Sequence, residues 1–392
     1  MQQAMGTQLG GACSLLASRQ LVTDVARISE QLVMDDMLCD YWPCAGSVGS
    51  APAVSCREKA AWPDKCGDID ELREVRRRRA VWAAEIRERY NARVVEWCDT
   101  GQGLEKQAVV VLLRPAQEDP IAVVAWRGSK KLADYFLTDI SLTFHPLRRD
   151  RGDVEPAKRK GGGMFDAILG RGGPMLLLRD SPVPCATRGL WEAYAGSAAR
   201  EVQQVGPRAQ VARALEKLLA DEPRCRLCIA GHSLGGALAT LCAYDLLTTS
   251  AAARARGLTM ISFAAPRFFN AGFQKAMRAL QQEGALCPLR VLVPTDLVPR
   301  LPPRQIGGLH GVMPRLLLDP VRADSRKSPR EPLSFQDVDR DDDDIWHAGQ
   351  DMHAHTSHAL YLGGECTPKR PQTVPLEVEW PLSSPAANIP AG

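Results

Sequence analysis

The chain has 392 residues, of which 45% are hydrophobic, 24% charged and 6% aromatic, a profile that excludes collagen-like, coiled-coil and disordered chains. Lys and Arg number 49 against 46 Asp and Glu, so no concentrated positive field points to nucleic acid as a partner. No run of about 18 apolar residues is present to span a membrane, which leaves only peripheral contact with lipid.

Residues 1–66 read as an N-terminal extension, disordered or targeting, with one apolar helical stretch near Leu21 to Leu38. The chain's 12 cysteines are too sparse for a disulfide scaffold. The start also lacks the charged and apolar regions of a secretory signal, so reduced thiols in an intracellular compartment, cytoplasm or plastid, are expected. Cys39, Cys44, Cys56 and Cys66 lack the paired C-x-x-C spacing of zinc knuckles, which favours ordinary thiols over a zinc site. From Asp68 to Tyr90 the pattern is a charged amphipathic helix, with Ile69, Leu72, Val75, Val81, Ala84 and Ile86 at helical spacing. Its run Arg76 to Arg79 reads as a solvated face rather than an anion site.

Beyond that helix, short β-rich runs alternate with helical ones. Ala108 to Leu113 and Ile121 to Trp126 flank a polar turn and predict an antiparallel pair. Arg226 to Ala230, Leu258 to Phe263 and Leu289 to Val293 predict buried strands, interleaved with helices over Val211 to Leu219, Ala237 to Leu247 and Phe273 to Leu280. This alternation predicts an α/β fold on a mostly parallel sheet, with sites at the carboxyl ends of the strands.

One strand end reads Gly231-His232-Ser233-Leu234-Gly235-Gly236 and runs directly into a helical segment. Strand, G-x-S-x-G, then helix is the arrangement that forces a serine onto a sharp turn with its hydroxyl above the sheet. Gly231 and Gly235 are expected where a side chain would collide across the turn. The nucleophile of such a site is Ser233, and the N–H of Leu234 is one donor to the oxyanion. Cys225 and Cys228 form a C-x-x-C by count, but residues three apart on a strand face opposite sides, which argues against a redox or metal role.

A serine nucleophile needs a histidine to take its proton and a carboxylate to orient that histidine, in the chain order Ser, Asp, His for this fold. Asp296 ends the apolar run Leu289 to Val293-Pro294-Thr295 and is the candidate acid, the alternative being an Asx turn before Pro299. His145 and His232 fall outside the order. That leaves His310, His347, His353, His355 and His358 for the base. The H-x-H tract at His353 and His355 lacks the other ligands of a familiar metal site, and no metal or cofactor is expected.

Taken together, Gly231 to Asp245, Trp126 to Ser129 with Asp139-Ile140, Arg188 to Tyr194, Phe263 to Arg267 and Asp296 to Pro302 resemble class 3 lipases. This family includes fungal triacylglycerol lipases and plant phospholipase A1-like enzymes. The resemblance implies an α/β-hydrolase fold over 67–364 (core 91–364), followed by a Pro-rich tail over 365–392. In that family the base begins an H-x-x-Y-[FL]-G segment, which His358-Ala359-Leu360-Tyr361-Leu362-Gly363 matches, with His355 the second choice. The resemblance also places the second oxyanion donor at Ser129 and a lid insertion over 145–187. The candidate lid residues Met164, Phe165, Ile168 and Leu169 follow a basic stretch there, and a merely disordered insertion is the alternative.

An acidic insertion over 319–351 carries Asp337, Asp339 and Asp341 to Asp344, expected to be a solvated loop rather than a calcium site. The function these features imply is a serine carboxylester hydrolase acting on glycerolipids, triacylglycerol lipase-like, with a phospholipase A1 or galactolipase as the alternative within the class. A catalytically silent lipid-binding protein on the same fold, or a peptidase or feruloyl-type esterase, are the other readings.

Overall fold

The computed structural model describes residues 13–32, 69–99, 106–128, 144–147, 181–196, 205–302, 314–318, 333–336, 355, 358–363 and 379–382. Its centre is an eight-stranded sheet in the order β1-β2-β3-β6-β7-β8-β9-β10. The strands are β1 (Arg93–Asp99), β2 (Lys106–Leu113), β3 (Ile121–Trp126), β6 (Arg226–His232), β7 (Leu258–Phe263), β8 (Leu286–Leu292), β9 (Arg315–Leu318) and β10 (Leu333–Gln336). From β3 to β9 all pairings are parallel, and both edges are antiparallel, β1 and β2 at one and β10 at the other. A separate two-stranded ribbon pairs β4 (Phe144–Pro146) with β5 (Cys185–Thr187).

Alternation along the strands divides the core in two. Val109, Val111, Val123, Ala125, Cys228, Ala230, Ile261, Phe263, Leu289 and Val291 face one side. Val110, Leu112, Val124, Trp126, Leu227, Ile229, Leu258 and Met260 face the other. Strands buried on both faces read as continuous apolar runs, as parallel sheets require. The second face is covered by α3 (Arg188–Ala195), α4 (Pro207–Asp221), α5 (Leu234–Thr249) and α7 (Ala271–Gln282), with the short α6 (Ala251–Arg256) after α5. Cys228 and Cys225 lie in opposite halves of the core and are both unpaired thiols, as strand geometry predicts.

The first face differs most from expectation. It is covered by α1 (Arg19–Arg27, continuing as one π-helical segment, Ile28–Leu32), α2 (Ile69–Tyr90) and α8 (His358–Leu362). Leu15, Leu16, Val22, Val25, Ala26 and Ile28 are all buried there, so residues 13–32 pack into the core rather than standing apart from it as an extension. Trp380 and Leu382, from the Pro-rich tail, join the same cluster, and the Trp380 indole N–H donates to the Leu16 carbonyl at 2.8 Å. The physical reason is that a sheet with no polar face must be covered on both sides, and the helices between the parallel strands supply only one.

Three smaller expectations also change. The buried face of α2 is Trp82, Ala83, Ile86 and Tyr90, whereas Val81 is 43% exposed and Ala84 exposed. The Arg27 guanidinium lies 5.1 Å from the Trp82 ring centroid, so a cation–π contact fixes the roll of the helix. Within 319–351, Leu333–Gln336 is a strand on the sheet edge rather than loop, while the clustered aspartates lie outside the described residues. Finally, Cys13 and Cys287 are disulfide-bonded rather than free thiols, linking the N-terminal segment to β8. Cys39, Cys44, Cys56 and Cys66 lie outside the described residues. Among the described residues no helix is long and apolar enough to cross a membrane.

The disulfide closes a loop of 274 residues, and removing such a long-range link typically costs about 2–5 kcal/mol. Guanidinium unfolding of Cys13→Ser is therefore expected to show a loss in that range, matched by wild type under dithiothreitol. An unchanged midpoint in both would show that the bond contributes nothing to stability.

Candidate active site

The elbow is built as the sequence predicts. β6 ends at His232, α5 begins at Leu234, and Ser233 between them holds φ 58° and ψ −128°, a left-handed conformation rarely adopted by a residue with a side chain. Two glycines make that turn possible. A Cβ on Gly231 would lie 2.1 Å from the Gly235 carbonyl oxygen, and one on Gly235 would lie 2.2 Å from the Trp126 carbonyl oxygen. The strained serine is held by its own backbone, which donates from N–H to the Phe263 carbonyl at 2.8 Å and accepts from Gly236 N–H at 2.9 Å. At the start of α5 the N–H of Leu234 has no carbonyl one turn earlier to bond, which leaves a donor beside the serine where the helix dipole also favours negative charge.

Asp296 lies four residues beyond β8 and its side chain is fully buried. It makes both interactions that the sequence sets against each other. Oδ1 accepts the Val298 N–H at 2.9 Å, an Asx turn, and Oδ2 accepts from Nδ1 of a histidine at 2.9 Å. Arg290 on β8 braces the same loop, donating to the carbonyls of Pro299 and Ala265, both at 3.0 Å.

The histidine on Asp296 is His355, the second choice of the sequence reading, and not His358, the first choice. A neutral imidazole that donates from Nδ1 keeps its lone pair on Nε2. That atom of His355 is buried and without a hydrogen-bond partner, and so is Oγ of Ser233. His358 instead heads α8 as a fully buried ring with neither nitrogen in hydrogen-bond geometry, packed against His232 and Phe263. Burial pushes its pKa down to about 4, against the opposing pull of the Asp296 charge.

One contributor has no role in the sequence reading. His232, the x of G-x-S-x-G, donates from Nε2 to the His355 carbonyl at 2.6 Å, and the two rings are 4.6 Å apart between centroids. It thereby ties the His355 segment to the residue next to the serine. Burial, reinforced by the neighbouring His355 and His358, holds the His232 pKa well below its ordinary value and keeps the ring neutral. The signal was a polar ring in an otherwise apolar strand end.

The remaining candidates are only partly placed. Gly128, at the end of β3, sits so close to the elbow that a Cβ there would lie 2.9 Å from the His232 carbonyl oxygen and 3.3 Å from Cβ of Ser233. Ser129 follows it and lies outside the described residues, as do Met164, Phe165, Ile168 and Leu169. The two ends of the 145–187 stretch are joined by the β4/β5 ribbon, with Phe144 opposite Thr187 and Pro146 opposite Cys185. Asn270 anchors that stem, accepting the N–H of Cys185 and of Phe273, both at 2.9 Å. The block Arg188 to Tyr194 is structural here. The Tyr194 hydroxyl donates to Asp245, which also receives a two-pronged ion pair from Arg208.

Because folded His358 resists a proton that the unfolded chain accepts near pH 6.5, the unfolded state binds more protons between about pH 6.5 and 4. Stability is thus expected to be undiminished by this group above pH 6.5 and to fall as pH drops toward 4, by up to ~1.4 kcal/mol per pH unit. His358→Leu should flatten that part of a urea-unfolding pH profile. An identical slope in the variant would contradict a neutral buried ring.

Comparison with known proteins follows the same elements. The family model described as lipase (class 3) matches residues 123–306, which include the elbow and Asp296. Phospholipase A1-II 4 of Oryza sativa subsp. japonica is 30% identical over 211 residues, 53% of this chain and 46% of the relative. The chloroplastic phospholipase A(1) DAD1 of Arabidopsis thaliana is 41% identical over 95 residues, 24% of this chain and 20% of the relative. The chain spans about half the length of the rice relative and less of the other. Lipase II from Rhizopus niveus superposes with a TM-score of 0.43 at 18% identity, over 70% of this chain and 82% of that one. The chain is thus similar to class 3 lipases from β3 through the elbow to the acid loop, over a little less than half of its length.

Proposed function

We propose that the protein is a serine carboxylester hydrolase that releases fatty acids from glycerolipids through an acyl-enzyme. The observation that carries this reading is the Asp296–His355 hydrogen bond beside the strained Ser233, with Nε2 and Oγ both left unbonded. In this reading His355 Nε2 takes the Ser233 hydroxyl proton as Oγ attacks the ester carbonyl. The same proton passes to the glycerol oxygen as the carbon–oxygen bond breaks. Water then attacks the acyl carbonyl as His355 takes one of its protons, and that proton passes to Ser233 Oγ as the acyl carbon–Oγ bond breaks and the fatty acid leaves. Asp296 holds the tautomer and stabilises the imidazolium that forms in each half.

The Leu234 N–H and Ser129 would receive the developing oxyanion, the contact of Gly128 with the elbow supporting the placement of Ser129. The insertion on the β4/β5 stem, with Met164, Phe165, Ile168 and Leu169, would act as a lid at a lipid surface. Within glycerolipids, the names of the rice and Arabidopsis relatives favour phospholipid cleavage of the A1 type over triacylglycerol. The Cys13–Cys287 bond favours an oxidising compartment over the reducing one that free thiols would suit.

Hydrolysis of p-nitrophenyl butyrate is expected to fall by at least about 1,000-fold in Ser233→Ala and in His355→Ala, and by less than about tenfold in His358→Ala, where the loss is one of packing. Turnover by Ser233→Ala equal to wild type would remove the enzyme reading. Loss confined to His358→Ala would return the base to that residue. Incubation with phosphatidylcholine, galactolipid, monoacylglycerol and triacylglycerol separates the substrate classes.

A further inference from the structure

α8 is five residues long, too short to hold itself together from its own backbone hydrogen bonds. It follows His355 after two residues, so any looseness in it is passed to the ring on Asp296. Both of its ends are held by the N-terminal segment. The Glu30 carboxylate, 4% exposed, accepts the Ala359 N–H at 2.9 Å at the start of α8. From α1, Arg19 Nε donates to the Leu362 carbonyl at 3.0 Å at its last residue. An anion at the first turn and a cation at the last both match the helix dipole. Between the two, Ala359, Leu360, Tyr361 and Leu362 are buried in one cluster with Leu21, Val22, Val25 and Ile28.

The N-terminal segment is itself fixed twice. Cys13 is bonded to Cys287 on β8. Asp24, fully buried, pairs with Arg27 and Arg89 and accepts from the Tyr90 hydroxyl at 3.1 Å, which ties α1 to α2.

We propose that Glu30 and Arg19 are positioning residues for hydrolysis: they clamp α8 at both ends and so hold His355 against Asp296. The proposal rests on the reading of His355 as the base, and the Ser233→Ala and His355→Ala variants test that reading separately. Glu30 and Arg19 lie more than 320 residues from the ring they align and reach it through the backbone of α8. Their effect is therefore on turnover, not on substrate binding.

The test is kcat and KM for p-nitrophenyl butyrate with the full chain, at a temperature where near-ultraviolet circular dichroism shows each variant folded. Glu30→Ala and Arg19→Ala are expected to lose about 10- to 100-fold in kcat at unchanged KM. Glu30→Gln, which keeps an oxygen to accept the Ala359 N–H, is expected to stay within about threefold of wild type. Asp24→Asn loosens the same segment without touching α8, and should lower the unfolding temperature while leaving kcat intact.

Folded Glu30→Ala and Arg19→Ala with wild-type kcat would overturn the proposal, and so would a kcat loss in Asp24→Asn as large as theirs. If Glu30→Ala does not fold, Arg19→Ala against Asp24→Asn decides alone. Activity surviving in His355→Ala, with the clamp variants still impaired, would instead mark the base assignment as the error.

Discussion

Between the carboxyl end of β6 and the first turn of α5 the backbone passes closer to itself and to β3 than any side chain would allow. A Cβ at Gly231 would meet the Gly235 carbonyl, and one at Gly235 the Trp126 carbonyl. Both obstacles are backbone, so neither can yield by a rotamer change. This contact fixes the height of Ser233 above the sheet and forces its positive φ. A second residue shares the strain: Ala264, just past β7, holds φ 53° while its N–H bonds the Val291 carbonyl. The strained turns lie on neighbouring parallel strands at their carboxyl ends, where strand geometry leaves a crevice. They persist because fully buried strands on either side over-determine them.

The elbow constrains what must lie around it. With Ser233 fixed, any base for it has to come from a segment that reaches the end of β6, and the polar ring on that strand end is His232. Its hydrogen bond to the His355 carbonyl and its contact with the rings of His355 and His358 make three histidines one packed unit beside a single carboxylate. Burial works in favour of such a unit. Charged imidazoles this close would repel one another in a medium with little water, so His232 and His358 are held neutral. Among the described residues, the ring that donates to Asp296 is His355, where a transient positive charge would find a counter-ion.

Much of this was legible because it is local. The strands were readable as apolar runs, the elbow as glycines in register with a strand-to-helix change, and Asp296 as a carboxylate at a strand end. The choice between His355 and His358 was not local. Two residues separate them, one precedes and the other begins the same short helix, and the matching H-x-x-Y-[FL]-G letters say nothing of which ring reaches a carboxylate some 60 residues earlier. The roll of α2 was misjudged for a related reason. Spacing alone admits Val81 and Ala84, whereas the guanidinium of Arg27, from another element, selects Trp82. Ser129 and the lid residues stay sequence-level assignments, since they lie beyond the described residues.

The N-terminal segment was the least legible part, and the reason is physical rather than compositional. Residues 13–32 carry no motif, and their partners include β8, α2, α8 and Trp380, from 58 to 364 residues away. What could have been reasoned is a deficit. A parallel sheet needs cover on both faces, and the helices between its strands pack on the side of α5, leaving the face of Val109, Val123 and Phe263 open. Only chain outside the alternating β and α region could close it. Closing it with α1 puts Glu30 and Arg19 beside the helix that follows His355, so the same requirement that buries the sheet also brings charged groups to the ends of α8. Burial of the first face and placement of α8 after His355 are then one structural solution, and Asp24, whose ion pairs run to Arg27 and to Arg89 on α2, is a position that bears on the first and not directly on α8.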